Sequence, residues 1–297
     1  MLATLTGMRI GLVLPMGDER GPGIPSSGRE IFGFARDMEQ AGFDSLWLFD
    51  HLQAYEGEAA DPSATWEAWT LLAGLAATTE RASLGTIVTC TGFRPPALLA
   101  RMAHSVHEIS GGRLILGLGA GWHEPEYRAF GYPFDHRYSR FEEALTVIRG
   151  MLVDGSSTFD GQYYRTNDAR LLPPPTQPAP PILIGTHGPR MLALTAKYAQ
   201  AYNTSWHALP AERWTKVKAS LEQAGVTQRV TVGLMVKGDN ASDDAFGVRC
   251  EPGALAEAFQ RWAAEGIDEL IVLLDPATVD RAERTVQALH DFRASTT

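Results

Sequence analysis

Cysteine, long apolar runs and concentrated positive charge are all scarce in this sequence of 297 residues. Its two cysteines, Cys90 and Cys250, lie far apart, which excludes a disulfide framework and fits a reducing compartment. No apolar run approaches the roughly 18 residues that a membrane span needs. The chain has 26 Lys and Arg against 35 Asp and Glu, and its net charge of -9 argues against a nucleic-acid partner, which requires a concentrated basic face.

The composition is that of a folded protein. With 44% hydrophobic and 21% charged residues, the chain can bury a large core. The opening residues MLATLTG lack the charged start and the long apolar stretch of a signal peptide. We therefore expect a cytoplasmic protein with a small-molecule partner and with neither a membrane nor a nucleic acid as partner.

Short β-rich runs alternate with amphipathic helical stretches along the chain. Several of the runs are almost continuously apolar, as in parallel strands that are covered on both faces. Gly42 and Gly266 stand where a helix would end just before a strand. Eight such units predict an α/β fold of the (β/α)8 TIM-barrel type. The predicted strands are 8–15, 45–50, 83–90, 113–120, 181–186, 201–206, 230–238 and 268–275.

The interval between the fourth and fifth predicted strands is unusually long. Residues 121–180 hold a helical segment at 138–153 and the proline-rich stretch LLPPPTQPAP. Because an apolar strand follows that stretch at once, we interpret 121–180 as an insertion within a single domain of residues 1–297. Loops at the carboxyl ends of barrel strands build the active site, so the insertion is expected to form a wall or lid there.

The run RLILGLGAGW at 113–122 raises the alternative of a dinucleotide-binding fingerprint. That fingerprint requires a third glycine at position 122, where this chain has Trp122, and it usually follows a first strand. In the barrel interpretation the same run ends the fourth strand, where small residues let the backbone approach a ligand.

Histidines are concentrated at the predicted strand ends. His51, His123, His187 and His207 are four of the eight in the chain. Such residues suit a metal-dependent hydrolase, but the first strand has no His-x-His pair and only Asp50 and Asp275 offer carboxylates at strand ends. No metal ligand is therefore assigned.

Five motifs in order resemble one family. The chain is similar to the luciferase-like flavin and deazaflavin oxidoreductases, and within them to probable coenzyme F420-dependent oxidoreductases. The resemblance runs from about Met8 to Asn203. It rests on AGFDSLWLFDH (41–51), TERASLGTIVTCTGFRPPALLA (79–100), SGGRLILGLGAGWHEPEYRAFGYPF (110–134), RFEEAL (140–145) and PPILIGTHGPR (180–190).

The resemblance implies a cofactor ring in the barrel mouth and hydride transfer on that ring. It makes His51 the proton-handling residue, with Asp50 positioning either His51 or the cofactor. It also implies a non-proline cis peptide behind the ring, at Ile87–Val88 or, as the alternative, at Thr86–Ile87. A phosphate would bind at the backbone before the helix that begins near Pro189, with Arg190 as a cationic aid. The implied cofactor contacts are Asp50, His51, Ile87, Val88, Thr89, Cys90, Gly119, Ala120, Gly121, Trp122, Gly185, Thr186, His187, Gly188, Pro189 and Arg190.

The resemblance leaves two cofactors open. Coenzyme F420 is the first expectation and FMN the alternative, because the phosphate site suits both. The first implies a dehydrogenase or reductase, the second a monooxygenase. A non-catalytic flavin-binding barrel is a further alternative. The deazaflavin sugar-phosphate dehydrogenases have a glutamate where this chain has Trp122, which argues against that activity.

The resemblance also implies a homodimer.

Overall fold

The computed structural model describes residues 7–17, 27–55, 62–63, 65–238 and 247–295. The strands are β1 Arg9–Val13, β2 Ser45–Leu48, β3 Ala54–Tyr55, β4 Pro62–Ser63, β5 Ser83–Thr86, β6 Thr89–Cys90, β7 Leu114–Gly119, β8 Ser156–Asp160, β9 Arg165–Arg170, β10 Ile182–Gly185, β11 Ala201–His207, β12 Arg229–Lys237, β13 Val248–Arg249 and β14 Glu269–Asp275. Eight of them are parallel and pair in a closed ring in the order β1-β2-β5-β7-β10-β11-β12-β14, and β14 pairs again with β1. The (β/α)8 barrel predicted from the sequence is confirmed.

Helices follow the barrel strands as the predicted alternation requires. They are α1 Gly28–Ala41, α2 Ala68–Thr78, α3 Pro96–Ile109, α4 Glu124–Ala129, α5 Arg137–Asp154, α6 Pro189–Tyr198, α7 Glu212–Gln223, α8 Pro252–Ala264 and α9 Val279–Ser295, with a 3-10 turn at Thr91–Phe93. None of the helices in these residues has both the length and the apolar character that crossing a bilayer requires.

Local sequence signals set the ends of these elements. Ser27 caps α1 by accepting the Glu30 backbone N–H, while the Glu30 carboxylate accepts the Ser27 N–H, and this capping box satisfies two of the helix's free donors. Gly42 ends α1 with φ +105° and Gly266 follows α8 with φ +74°, a left-handed conformation that glycine adopts without steric cost. Both glycines were predicted at helix ends, and both predictions are confirmed.

The core has two layers, one inside the barrel and one outside it. Val13, Trp47, Ile87, Leu183 and Ile271 pack inside the barrel. A larger apolar cluster fills the space between the strands and the surrounding helices. Because each strand is covered on both sides, its sequence is apolar at successive positions.

The third strand is interrupted where the sequence predicted a continuous strand over 83–90. β5 ends at Thr86 and β6 begins at Thr89, and the peptide bond between Ile87 and Val88 is cis. The cis bond lies at the position that the family resemblance implied, so that expectation is confirmed.

The segment 121–180 has three parts, and they occupy different places. α5 packs against α3 and takes the position of the barrel's fourth helix. The hairpin of β8 and β9 packs on α5, where the Glu143 carboxylate accepts the backbone N–H groups of Gln162, Tyr163 and Tyr164. Only the part before α5 borders the barrel mouth described below. The expectation that all of 121–180 would wall the active site was too broad.

Candidate active site at the barrel mouth

A cavity of about 800 Å³ opens at the carboxyl ends of the barrel strands. Its walls combine aromatic and aliphatic side chains with a few polar groups, as in pockets that bind organic ligands. Twelve of the positions implied by the resemblance line it: Asp50, His51, Ile87, Val88, Cys90, Gly119, Ala120, Gly121, Trp122, Gly185, Thr186 and His187. The other four do not line it: Thr89 is fully buried, and Gly188, Pro189 and Arg190 form the start of α6.

His51 is held by a carboxylate that the sequence analysis did not single out. Its Nδ1 lies 2.8 Å from Oε2 of Glu126, in the short helix α4. The Glu126 side chain is 1% exposed and that of His51 is 29% exposed. Burial raises the pKa of the Glu126 carboxyl, but the hydrogen bond and charge of His51 and two backbone N–H groups outweigh burial and hold that pKa below its ordinary value. Glu126 is therefore ionised at neutral pH.

Asp50 is bound to Arg94 and not to His51, which was one of the two roles expected for it. Arg94 donates two hydrogen bonds to its carboxylate, at 2.7 and 2.9 Å, and the backbone N–H of Cys90 donates a third, at 2.9 Å. Arg94 also donates to Glu67, the N-terminal cap of α2, at 2.5 Å. Burial raises the pKa of Asp50, and the bidentate Arg94 opposes that shift. Asp50 thus fixes the end of the third strand, while Glu126 is the carboxylate bound to His51.

The glycines of the run GLGAGW make room for the interrupted third strand. A Cβ on Gly117 would lie 1.9 Å from the carbonyl oxygen of Thr86, and one on Gly119 would lie 2.5 Å from a Val88 methyl group. On the other side, a Cβ on Gly185 would lie 2.9 Å from the second Val88 methyl group. Small residues were expected here to let the backbone approach a ligand; Gly119 and Gly185 do line the cavity, and the structure adds that Gly117, Gly119 and Gly185 also leave room for the third strand.

Cys90 and Tyr127 form a buried pair beside the cavity. The Tyr127 hydroxyl donates to the carbonyl oxygen of Ala120 at 3.0 Å, so the Cys90 thiol, 2.8 Å away, donates to the hydroxyl. Burial raises the pKa of the Cys90 thiol to about 12. A thiol in that state is a poor nucleophile, and Cys90 is part of the wall.

The segment expected to bind phosphate has the predicted backbone path. β10 ends at Gly185, and α6 begins at Pro189 with Gly188 in the N-cap position. A glycine has no side chain with which to cap the helix, and no side chain caps the N-terminus of α6. The guanidinium of Arg190 lies 3.6 Å from the ring centre of Tyr138, on which it stacks.

The remaining histidines at strand ends have separate surroundings. His187 lines the cavity, and its Nε2 lies 2.8 Å from the Ser205 hydroxyl. Burial lowers the pKa of His207 to about 4, and its ring packs on Trp214 and Trp262 away from the cavity. In the part of the chain that the structure describes, no three or more His, Cys, Asp and Glu side chains form a cluster suited to a metal ion.

Trp122 stands at the rim of the cavity beside His51. Its side chain is 69% exposed, and its ring centre lies 5.9 Å from that of His51. Phe49 and Trp206, whose ring centres are 5.8 Å apart, form another part of the wall. Sequence reasoning placed Trp122 here and missed Asn203, which lines the cavity and donates to the Thr231 hydroxyl at 2.8 Å.

Comparison with known proteins gives consistent results in sequence and in fold. A family model described as luciferase-like monooxygenase matches residues 8–245. A pyrimidine monooxygenase RutA of Agrobacterium fabrum is 31% identical over 258 residues, which are 80% of this chain and 70% of that protein. The RutA of Shigella flexneri serotype X is 32% identical over 280 residues, 87% of this chain and 72% of that protein.

Solved structures resemble the chain over almost its whole length. An F420-dependent secondary alcohol dehydrogenase has a TM-score of 0.78 at 18% identity, covering 97% of this chain and 99% of that one. EDTA monooxygenase from Chelativorans has a TM-score of 0.78 at 15% identity, covering 97% and 94%. At such low identity these likenesses show the fold alone.

Proposed function

The chain belongs to the luciferase-like monooxygenase family, and from this premise we propose that it is a two-electron oxidoreductase that uses coenzyme F420 on a small organic substrate. The observation that carries the proposal is the imidazole of His51, held by the buried Glu126 carboxylate at the edge of an apolar cavity. Transfer of hydride to or from carbon must be matched by a proton, and histidine suits proton transfer in either direction at neutral pH.

The residues of the cavity fit a flat cofactor ring with an anionic tail. The third-strand residues Ile87 and Val88 back the cavity, and Phe49 and Trp206 give it apolar walls. The backbone from Gly185 to Gly188 leads to the N-terminus of α6, where an anionic group is favoured. When bound, the deazaflavin would supply or accept the hydride.

The chain's own residues would hold the proton and shape the site. His51 would take the proton from a substrate hydroxyl group, or return it to a carbonyl oxygen. Asp50 and Arg94 keep the end of the third strand in place through the Cys90 backbone. Trp122 offers a flat apolar surface and one N–H donor to the substrate.

A flavin-dependent monooxygenase with FMN is the second candidate. The observation in its favour is that relatives more than 30% identical to this chain are named pyrimidine monooxygenases. The same backbone cradle before α6 suits the phosphate of FMN.

Titration of the purified protein with each cofactor separates the two candidates. Deazaflavin fluorescence reports F420 binding, and visible absorbance reports FMN binding. We expect F420 to bind with micromolar or tighter affinity and FMN to bind far more weakly. Preferential binding of FMN, together with oxygen consumption on its reduction, would overturn the F420 proposal in favour of the monooxygenase.

Substitution of Gly188 tests where the anionic tail lies. A Cβ at this position has no heavy atom within 4 Å, so Gly188→Asp and Gly188→Asn should both fold, and both residues cap helices well. The aspartate places a negative charge close to the expected phosphate, at a cost of about 1 to 4 kcal/mol. G188D should weaken cofactor binding at least about tenfold relative to G188N. Equal cofactor affinities of G188D and G188N would show that the anionic tail does not bind near Gly188.

A further inference from the structure

Glu126 uses both oxygens of its carboxylate, and the three donors come from consecutive residues. Oε2 lies 2.8 Å from Nδ1 of His51. Oε1 accepts the backbone N–H of Leu52 at 2.7 Å and that of Gln53 at 3.1 Å. The loop after β2 is thus bound to α4 through one buried side chain, although the two lie more than 70 residues apart in sequence.

This arrangement determines which nitrogen of His51 carries hydrogen in the neutral ring. An ionised carboxylate only accepts hydrogen bonds, so the ring nitrogen that faces it must be a donor. In a neutral imidazole one nitrogen donates and the other accepts, which makes Nε2 the basic nitrogen.

We propose that Glu126 is the positioning residue of the site, and that it holds His51 in the Nδ1–H tautomer with Nε2 as the nitrogen that exchanges a proton with substrate. In the oxidation of an alcohol, the C–H bond would break with its electron pair leaving as hydride to the bound cofactor, the O–H proton would pass to Nε2, and the C=O double bond of the carbonyl product would form. The resulting imidazolium keeps its Nδ1–H bond to the Glu126 carboxylate, which stabilises the positive charge. Reduction of a carbonyl compound is the reverse.

The use of the proton rests on the proposed function, whereas the tautomer does not. In a purely structural role, the Glu126 carboxylate would only bind the loop to α4. The tautomer of His51 would then not depend on the charge of the Glu126 side chain. The two roles therefore differ in a spectroscopic property of the protein without cofactor.

Glu126→Gln separates these roles. The backbone N–H groups of Leu52 and Gln53 are donors, so they should retain the amide oxygen of the new side chain. Its NH2 group would then face Nδ1 of His51, and Nδ1 must become an acceptor. E126Q should therefore reverse the tautomer and place the hydrogen on Nε2, where it blocks proton uptake.

The measurement is long-range 1H–15N correlation NMR of histidine-labelled protein without cofactor, at about pH 9, where histidine is normally neutral. The signals of His51 are assigned as those absent from His51→Asn. We expect the Nδ1–H pattern in the native chain and the Nε2–H pattern in E126Q. Glu39→Gln is the matched control, because Glu39 is also a buried carboxylate that accepts backbone N–H groups, from Glu80, Arg81 and Ala82. E39Q should leave the His51 pattern unchanged.

An Nε2–H pattern in the native chain would overturn the proposal even if E126Q failed to fold. An unchanged pattern in folded E126Q would also overturn it. If F420 does not bind but the tautomer reverses, the proposed function fails and the positioning role stands. With a turnover substrate, E126Q should lower kcat at least about 100-fold, as the loss of a general base does, with a much smaller change in KM.

Discussion

Replacement of Gly117 by alanine tests how tightly the fourth barrel strand fits the interrupted third strand. The added Cβ would lie 1.9 Å from the Thr86 carbonyl oxygen and 3.4 Å from a Val88 methyl group. Real Cβ atoms essentially never approach another heavy atom within 3.0 Å, so the two backbones must separate by about 1 Å. Because the Thr86 carbonyl group belongs to the main chain of a closed barrel, it cannot avoid the Cβ by a change of rotamer.

Overpacking of a core costs about 1 to 3 kcal/mol, occasionally more. Because backbone must shift, we expect G117A to lower the free energy of unfolding by about 3 kcal/mol, at the upper end of that range. Gly33→Ala is the control, since a Cβ there lies in the middle of α1 and meets its nearest atom, of Arg36, at 4.0 Å. G33A should stabilise the protein by about 0.5 to 1 kcal/mol through helix propensity.

Urea unfolding followed by circular dichroism measures both variants. A G117A protein within about 1 kcal/mol of the native chain would refute the reasoning, because an alanine without a clash changes stability by no more than that. Such a result would mean that β5 and β7 separate easily and that the glycine run has another purpose.

Three further predictions concern single side chains. His51→Asn should fold and bind cofactor with little change, yet lower kcat by about 100-fold or more; near-normal turnover would remove His51 from the chemistry. Cys90 should resist iodoacetamide at pH 8 until the protein unfolds, since its thiol is buried with a pKa of about 12, and mass spectrometry showing fast labelling of the native protein would contradict this. Burial raises the pKa of Glu39, but hydrogen bonds from backbone N–H groups outweigh burial and lower that pKa. Glu39 therefore contributes stability that is fully present above its pKa in the unfolded chain, about 4.3, and is lost as the pH falls through its pKa in the folded protein. The destabilisation by Glu39→Gln, measured by urea unfolding, should therefore be smaller at pH 3.5 than at pH 7; an equal loss at both would show that the charge of Glu39 does not matter.

The barrel could be predicted because its strands are buried on both faces and so are apolar without interruption. The predicted strand 113–120 and the observed β7, Leu114–Gly119, differ by one residue at each end. The polar hairpin of β8 and β9 was missed, because its residues are largely exposed and pair only with each other, which leaves no apolar alternation to detect.

The residues at strand ends could likewise be predicted, and their partners could not. The topology of a parallel barrel alone places Asp50, His51 and Trp122 at the same end of the barrel, independently of their side-chain contacts. The contact between Glu126 and His51 depends on the path of the chain from β7 to α4. The contact between Arg94 and Asp50 depends on the turn that follows β6. Neither path has a periodic pattern, so the sequence did not identify Glu126, and Asp50 was the carboxylate expected to position either His51 or the cofactor.

Trp122 lies at the rim of the cavity, where a change of side chain should affect the fold very little. A side chain that is 69% exposed makes few packing contacts, so its replacement should change stability by no more than about 0.5 kcal/mol. Its neighbour His51 is bound to the buried Glu126 carboxylate, which orients the imidazole without a hydrogen bond from the indole. We therefore expect a library confined to position 122 to alter which molecules enter the cavity while the proposed proton-handling pair, His51 and Glu126, and the barrel stay intact.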